Sequence, residues 1–423
     1  MRALAGVRAF PFLVLAASFT VTLLPGPWGD ESVTDLFLYR SYADLFLDGS
    51  LPYRDVAFEY PPLAAPLLGL PALLGSGDDA YRLAFAALAL VLAAGLVALV
   101  GALARRTGGD PRRAMLAAAA APLFTGAMLR THFDLAPVAL TLGALLLLVS
   151  NRPRAGLAVL GAGVMTKGFP VVVLPVAVTW LAAHGRRREA VEGGAAMALV
   201  VIAIAGVAVA LSPSGAADAV TYHLDRPVQV ESAPALALLA LDGLGGGRAD
   251  VVHSHRSEGV EHPASAAVAA LFTALLIGAV ALMMAGAARP STADAGDGSD
   301  ARVLVLGSLA AVTAFATFGK VLSPQFLIWV VPLAALAFAW RMPALAAAAT
   351  AAIALTLVEF PAHYADVVAR EPAALWLVAA RNATLALAVA LASRAVLISG
   401  APARGSARSR WRVRRGPPRP APR

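Results

Sequence analysis

In the segment DESVTDLFLYRSYADLFLDG, residues 30 to 49, Asp35 and Tyr39 stand four apart. On a helix that spacing puts both side chains on one face. Arg54 and Asp55 follow, then Glu59 and Tyr60 immediately before Pro61 and Pro62. Farther along, RTHFD supplies Arg130, His132 and Asp134, MTKGFP supplies Lys167, YHLDRPVQVES supplies His223, Asp225, Arg226, Gln229 and Glu231, and GKVLSPQF supplies Lys320. Carboxylates and cations together suit a transfer reaction in which one acid removes a proton and a cation stabilises an anionic leaving group. Each also has a structural reading. Asp35 and Tyr39 fit one face of an amphipathic surface helix over 34 to 47, the lysines fit end anchors that snorkel to water, and Arg130, His132 and Asp134 fit a salt bridge between helix ends.

The elements that must hold these residues are membrane helices. Of 423 residues, 59% are hydrophobic and only 14% charged, against about a quarter charged in soluble domains. Apolar runs recur along the whole length, so we read one integral membrane domain over 1 to 400 and no sizeable soluble domain. The formal net charge of +8 comes from the stretch 401 to 423, which holds eight Arg and no acid. A disordered Arg/Pro-rich cytoplasmic tail accounts for it, and no nucleic acid partner is implied. With no cysteine, thiolate catalysis and Cys-ligated metal are excluded. His253, His255 and His262 sit in a Gly-rich polar stretch and read as a solvated loop; no metal or other cofactor is expected. The sequon at Asn382 falls inside an apolar run.

Arg clusters at 105 to 113, 152 to 154 and 186 to 188, with the tail, mark the cytoplasmic side. Threading apolar runs between them gives about twelve spans, near 9 to 25, 81 to 104, 114 to 129, 135 to 150, 155 to 166, 169 to 183, 191 to 211, 265 to 287, 302 to 319, 326 to 340, 343 to 358 and 373 to 398. Both termini then lie in the cytoplasm, and the first apolar run reads as an uncleaved span. The run 63 to 74 is too short to cross and contains Pro66 and Pro71; counting it as a span would invert every later Arg cluster. We read it as a re-entrant or interfacial helix in a long first external loop, 26 to 80. Spans 155 to 166 and 169 to 183 are also short and meet at Lys167, forming a bent pair whose tip lies inside the outer membrane edge. All five polar segments then fall on the external face, including both lysines of the chain, as expected of a site that takes a lipid phosphate from the outer leaflet.

The ordered set TDLFLYRSYADLFLDGSLPYRDVAFEYPPLA, RTHFDLAP, MTKGFPVVVLP, YHLDRPVQVES and KVLSPQFLIWVVP resembles glycosyltransferase family 87, the group also called domain of unknown function 2029, within the GT-C membrane enzymes. Actinobacterial polyprenol-phosphate-mannose-dependent alpha-mannosyltransferases are members. The resemblance covers about residues 9 to 398. It implies an all-α polytopic GT-C-type helical bundle whose first external loop carries the catalytic carboxylate, matched here by Asp35, and a polyprenyl monophosphate sugar as donor. Glu59-Tyr60-Pro61-Pro62 matches the segment re-entering the membrane after the loop, and Lys167 and Lys320 match basic positions where a phosphate contact fits.

The expected reaction moves a hexose, mannose by the resemblance, from the polyprenyl phosphate to a lipid or cell-envelope glycan acceptor at the external face of a bacterial plasma membrane. Asp35 serves as general base with inversion at the anomeric carbon. Lys167, Lys320, Arg130 and Arg226 are the candidate phosphate cations, with His132, Tyr60, Glu59 and Arg54 as further substrate contacts. The rival classes are a transporter or lipid-linked sugar flippase and a non-catalytic scaffold. Alternating access calls for polar groups near mid-bilayer, and Arg381 with Asn382 is the one strong mid-span polar pair.

Overall fold

The computed structural model describes residues 2–75, 77–289 and 298–399; the tail expected over 401–423 lies outside them. Helix α1 (Arg2–Val21) opens the chain, and the long loop after it carries two short helices, α2 (Leu36–Leu47) and α3 (Ala64–Ala72). Helix α4 (Asp78–Arg106) then runs 29 residues, with Asp78 and Asp79 in its first turn and Arg105 and Arg106 in its last. That polarity complements the helix dipole and puts the basic end where the positive-inside rule places the cytoplasm.

The next apolar run is a broken helix: α5 (Pro111–Ala119), α6 (Pro122–Thr125) and α7 (Met128–Thr131). Asp110 starts it by accepting the N–H groups of Arg112 and Arg113 at 2.9 and 3.2 Å, with Pro111 in the first turn. Pro122 and Gly126, the latter at φ +57°, interrupt it. The irregular backbone falls at its C-terminal end, directly before His132 and Asp134, and irregular backbone at membrane depth is stable only when buried in protein or lining a polar cavity.

Helices α8 (Leu135–Val149) and α9 (Pro153–Val164) form a hairpin, followed by a 3-10 turn, Phe169–Val172, that leads into α10 (Val173–Ala183) and then α11 (Arg187–Leu211). The packing around α9 depends on small residues. A β-carbon at Gly156 would lie 2.9 Å from the Ala144 carbonyl oxygen, and one at Gly161 3.0 Å from that of Met197. Twelve residues rise about 18 Å, shorter than a hydrocarbon core of about 30 Å.

Ser212 and Pro213 start α12 (Pro213–Asp225), the Ser212 hydroxyl accepting the Gly215 N–H at 3.1 Å. Strand β1 (Val228–Gln229), α13 (Ala233–Gly243) and strands β2 (Asp250–Ser254) and β3 (Ser257–Glu261) follow, in a small antiparallel sheet of order β1-β3-β2. The stretch read as a solvated loop is therefore a hairpin. Its turn residues His255 and Arg256 sit at φ +51° and +54°, the pairing of a type I′ turn, which the sequence usually announces with Asn-Gly.

The chain ends in α14 (Ser265–Ala287), α15 (Ser299–Phe318), a 3-10 segment Pro324–Val330 continuing as α16 (Val331–Ala339), α17 (Pro343–Glu359), α18 (Tyr364–Val368) and α19 (Pro372–Ser399). All twelve apolar runs are helical. Among the described residues five helices, α4, α11, α14, α15 and α19, are long and apolar enough to cross a membrane by length and composition. The most apolar window of α15 is 78% buried and those of α11 and α14 only 11%, so α15 is the central post and the other two present apolar surface to lipid. The protein is an all-α polytopic membrane protein whose described residues add a small three-stranded sheet. A separate aromatic core, including Tyr39, Tyr42, Phe58, Tyr81, Phe85 and Phe133, packs the first loop onto the bundle.

Candidate active site around Asp35

Asp35 precedes α2 without using its side chain as a cap, so its carboxylate is free to face the bundle. Tyr39, one turn on, donates its hydroxyl to Asp35 Oδ2 at 3.3 Å. The Nε2 atom of His132 lies 3.6 Å from the same oxygen, with His132 4% exposed and Asp35 39%. Oδ2 is thus the held oxygen and Oδ1 the open one. The His132 Nδ1 atom sits 3.2 Å from the Met128 carbonyl oxygen and 3.0 Å from Thr131 Oγ1, and the Thr131 hydroxyl itself donates to Ala127. A carbonyl only accepts, so Nδ1 carries the ring hydrogen, and Nε2 presents a lone pair in the neutral ring and an N–H in the charged one.

Tyr39 is fully buried. Burial first, then neighbouring Tyr60, Asp35 and Asp134, push its phenol well above the ordinary value, which keeps it a donor. Burial and then the Asp35 charge do the same to Tyr60. Tyr60 and Tyr39 meet edge to face, and both pack edge-on to Phe133 with ring centres 5.1 and 5.6 Å away.

The RTHFD segment distributes its three charged or titratable side chains to three different neighbours. Arg130 turns back to the first loop, donating from Nε to the Thr22 carbonyl at 2.8 Å and from Nη1 to Glu31. Glu31 also pairs with Arg82 at 2.6 Å. His132 meets Asp35. Asp134, with no exposure, accepts Lys167 Nζ on both oxygens at 2.8 Å and the Trp329 indole N–H at 2.6 Å. The Lys167 ammonium lies 4.8, 5.6 and 5.8 Å from the ring centres of Phe133, Phe326 and Trp329. The Leu63 N–H, directly after the proline pair, bonds the Met165 carbonyl at 2.9 Å, which docks the returning loop onto the tip that carries Lys167.

Lys320 and Arg226 behave differently. Lys320 Nζ donates to the carbonyls of Leu224 and Arg226 at 2.6 and 2.8 Å, and Arg226 Nη2 donates to Ser257 Oγ at 2.8 Å. Among the described residues neither touches a carboxylate, and Arg226 Nε is buried without a partner. Burial, aided by the Arg226 charge, lowers the Lys320 ammonium below its ordinary value. His223 donates from Nε2 to the Glu59 carbonyl at 2.8 Å; burial lowers its ring as well, with Arg226 and Lys167 adding to the effect. The neighbouring Tyr222 phenol is raised by burial first, and its hydroxyl donates to the His255 carbonyl at 2.6 Å.

Glu59 is buried against the Tyr42 hydroxyl and Arg256, whose Nη1 lies 3.1 Å from Glu59 Oε1. It anchors the hairpin onto the loop. Arg54 pairs with its neighbour Asp55 at 2.8 Å on the exposed surface. The three histidines of the hairpin have separate partners: His253 bonds Glu258, His255 bonds Ser254 Oγ, and His262 Nδ1 accepts the Ala264 N–H. Trp329 and Arg256 carry no functional signal in the sequence alone. Trp329 lies in an apolar run where one more aromatic carries no signal, and Arg256 depends on a turn that its residues do not announce.

Residues 35–184 match the family model described as alpha-(1->6)-mannopyranosyltransferase, N-terminal domain. The matched stretch starts at Asp35 and contains Tyr39, Glu59, Tyr60, Arg130, His132, Asp134 and Lys167; it ends before Arg226 and Lys320. No curated protein matches the chain at a significant level. The family match and the membrane helices together make the chain a membrane-embedded glycosyltransferase of the mannosyl-transferring kind.

Proposed function

We propose that the protein transfers mannose from a polyprenyl monophosphate donor to a lipid or cell-envelope glycan acceptor at the external face of a bacterial plasma membrane, as the resemblance to glycosyltransferase family 87 implies. The observation that carries this reading is the convergence of Asp35, Tyr39, Tyr60 and His132, drawn from three separate segments, within the stretch that matches the mannosyltransferase family.

In this reading the acceptor hydroxyl approaches the open Oδ1 of Asp35. The acceptor oxygen forms its bond to the anomeric carbon as the bond from that carbon to the phosphate oxygen breaks. The hydroxyl proton passes to Asp35, and the polyprenyl phosphate leaves with the bonding electron pair. Tyr39 and His132 hold Oδ2 and so fix the carboxylate's orientation. The growing charge on the leaving phosphate needs a cation that is not already neutralised. Arg130 is spent on Glu31 and Lys167 on Asp134, whereas among the described residues Arg226 and Lys320 form no ion pair with a carboxylate. We therefore assign the phosphate contact to Arg226 and Lys320, with Lys167 as a structural cation at the rim of the site.

One displacement inverts the anomeric centre. An alpha product of the sort named in the matched family then requires a beta-configured donor. The test is to give the purified protein alpha- and beta-mannosyl phosphoryl polyprenol and a nucleotide-activated mannose with a mannoside acceptor. Transfer from the beta lipid donor alone supports the reading. Transfer from the nucleotide sugar overturns the donor class, and movement of a lipid-linked sugar between leaflets with no new glycoside indicates a flippase.

A further inference from the structure

A second buried polar cluster lies away from Asp35. Glu231, Glu359 and Arg381 are all fully buried. Arg381 Nη1 lies 3.5 Å from Glu231 Oε1 and 3.2 Å from Glu359 Oε2. Its Nη2 donates to the Glu231 main-chain carbonyl, which also accepts Asn382 Nδ2 at 3.1 Å. Arg381 stands nine residues past the start of α19, about 14 Å down the helix. The chain between β1 and α13 must therefore dip into the bundle for Glu231 to reach it. A cluster of this type is a poor source of stability, because burying two carboxylates and a guanidinium costs about as much as their attraction returns. What it does supply is a fixed position.

That position is passed on through one side chain. Gln229 donates from Nε2 to Glu231 Oε2 at 2.7 Å and accepts the Leu322 N–H on Oε1 at 2.9 Å, while its own N–H bonds the Lys320 carbonyl at 2.9 Å. Lys320 in turn holds the carbonyls of Leu224 and Arg226. A continuous set of hydrogen bonds therefore runs from Arg381 in α19 through Glu231 and Gln229 to the backbone that carries Lys320 and Arg226.

We propose that the Glu231–Arg381–Glu359 cluster, acting through Gln229, is a positioning device that sets the depth and register of Arg226 and Lys320 against the donor phosphate. This rests on the assignment of those two cations as phosphate contacts. A pair of cations at the ends of long or irregular segments binds phosphate tightly only if both are held in place before the ligand arrives. The network also explains the mid-span pair Arg381 and Asn382 without a transport path, since both are satisfied by Glu231 from within the fold.

The test uses Gln229→Met, which removes both side-chain hydrogen bonds at nearly constant shape and leaves Arg381 on Glu231. With beta-mannosyl phosphoryl polyprenol as donor, KM for the donor should rise about tenfold while kcat and acceptor KM stay within about twofold. Glu231→Gln, which keeps the main-chain contacts to Arg381 and Asn382, serves if Gln229→Met does not accumulate, and should raise donor KM by a smaller factor. A variant that folds, judged by an unchanged thermal transition, and keeps the wild-type donor KM overturns the positioning role. A uniform fall in kcat with KM unchanged overturns it too. If the wild-type protein transfers nothing from the lipid donor, the failure belongs to the functional assignment instead.

Discussion

His132 and Asp35 face each other with Nε2 3.6 Å from Oδ2, one residue at the C-terminal end of a broken helix and the other at the start of a loop helix. The His132 ring cannot turn to serve another partner while Nδ1 is bound to the Met128 carbonyl. His132→Gln should therefore lower kcat with little change in donor KM and an unchanged thermal transition. A variant that turns over at the wild-type rate would contradict the pairing.

Tyr39→Phe removes the hydroxyl that holds Asp35 Oδ2 and leaves the ring stack on Phe85 and Phe133 in place. One such hydrogen bond is worth about 1 kcal/mol, so kcat should fall roughly fivefold with the thermal transition nearly unchanged. Steady-state kinetics beside a melting curve separates the two effects.

Lys167→Met and Arg226→Gln should fail in different ways. The first leaves Asp134 buried with only the Trp329 indole for a partner, and breaking a buried pair costs about 3–5 kcal/mol. The variant should melt early in detergent, and Asp134→Asn in the same chain should restore part of the loss. The second breaks no ion pair; donor KM should rise about tenfold with stability kept. If Lys167→Met raises donor KM at wild-type stability, Lys167 is a phosphate contact.

The positions of the helices could be read from composition and Arg placement because both reflect the cost of polar groups in lipid. The short helix after Pro61 and Pro62 was legible for the same reason, and the Leu63 to Met165 hydrogen bond docks it onto the segment that carries Lys167. Asp35, His132 and Lys167 could be named as candidate site residues, but which would pair with which could not. Adjacent residues in RTHFD point to separate segments, and only the break at Gly126 decides their directions. Likewise Arg381 stood out as a mid-span charge, while its partner Glu231 lies 150 residues earlier in the chain and reaches it only because the segment after β1 dips inward.

His223 gives a stability test with a definite sign. Its ring is lowered from the ordinary 6.5, chiefly by burial. Between that folded value and 6.5 the folded chain binds fewer protons than the unfolded one, so stability is complete above 6.5 and is lost as pH falls through the window. His223→Gln should flatten that part of the melting temperature against pH. A slope as steep as that of the wild type would contradict the burial.

The central claim is that Asp35 is the base. Mannosyl transfer from beta-mannosyl phosphoryl polyprenol should be measured for wild type and for Asp35→Asn, each shown folded by its thermal transition. The account predicts a fall in kcat on the order of 10²–10⁴-fold with donor KM close to that of wild type. An Asp35→Asn enzyme that turns over at the wild-type rate would contradict it.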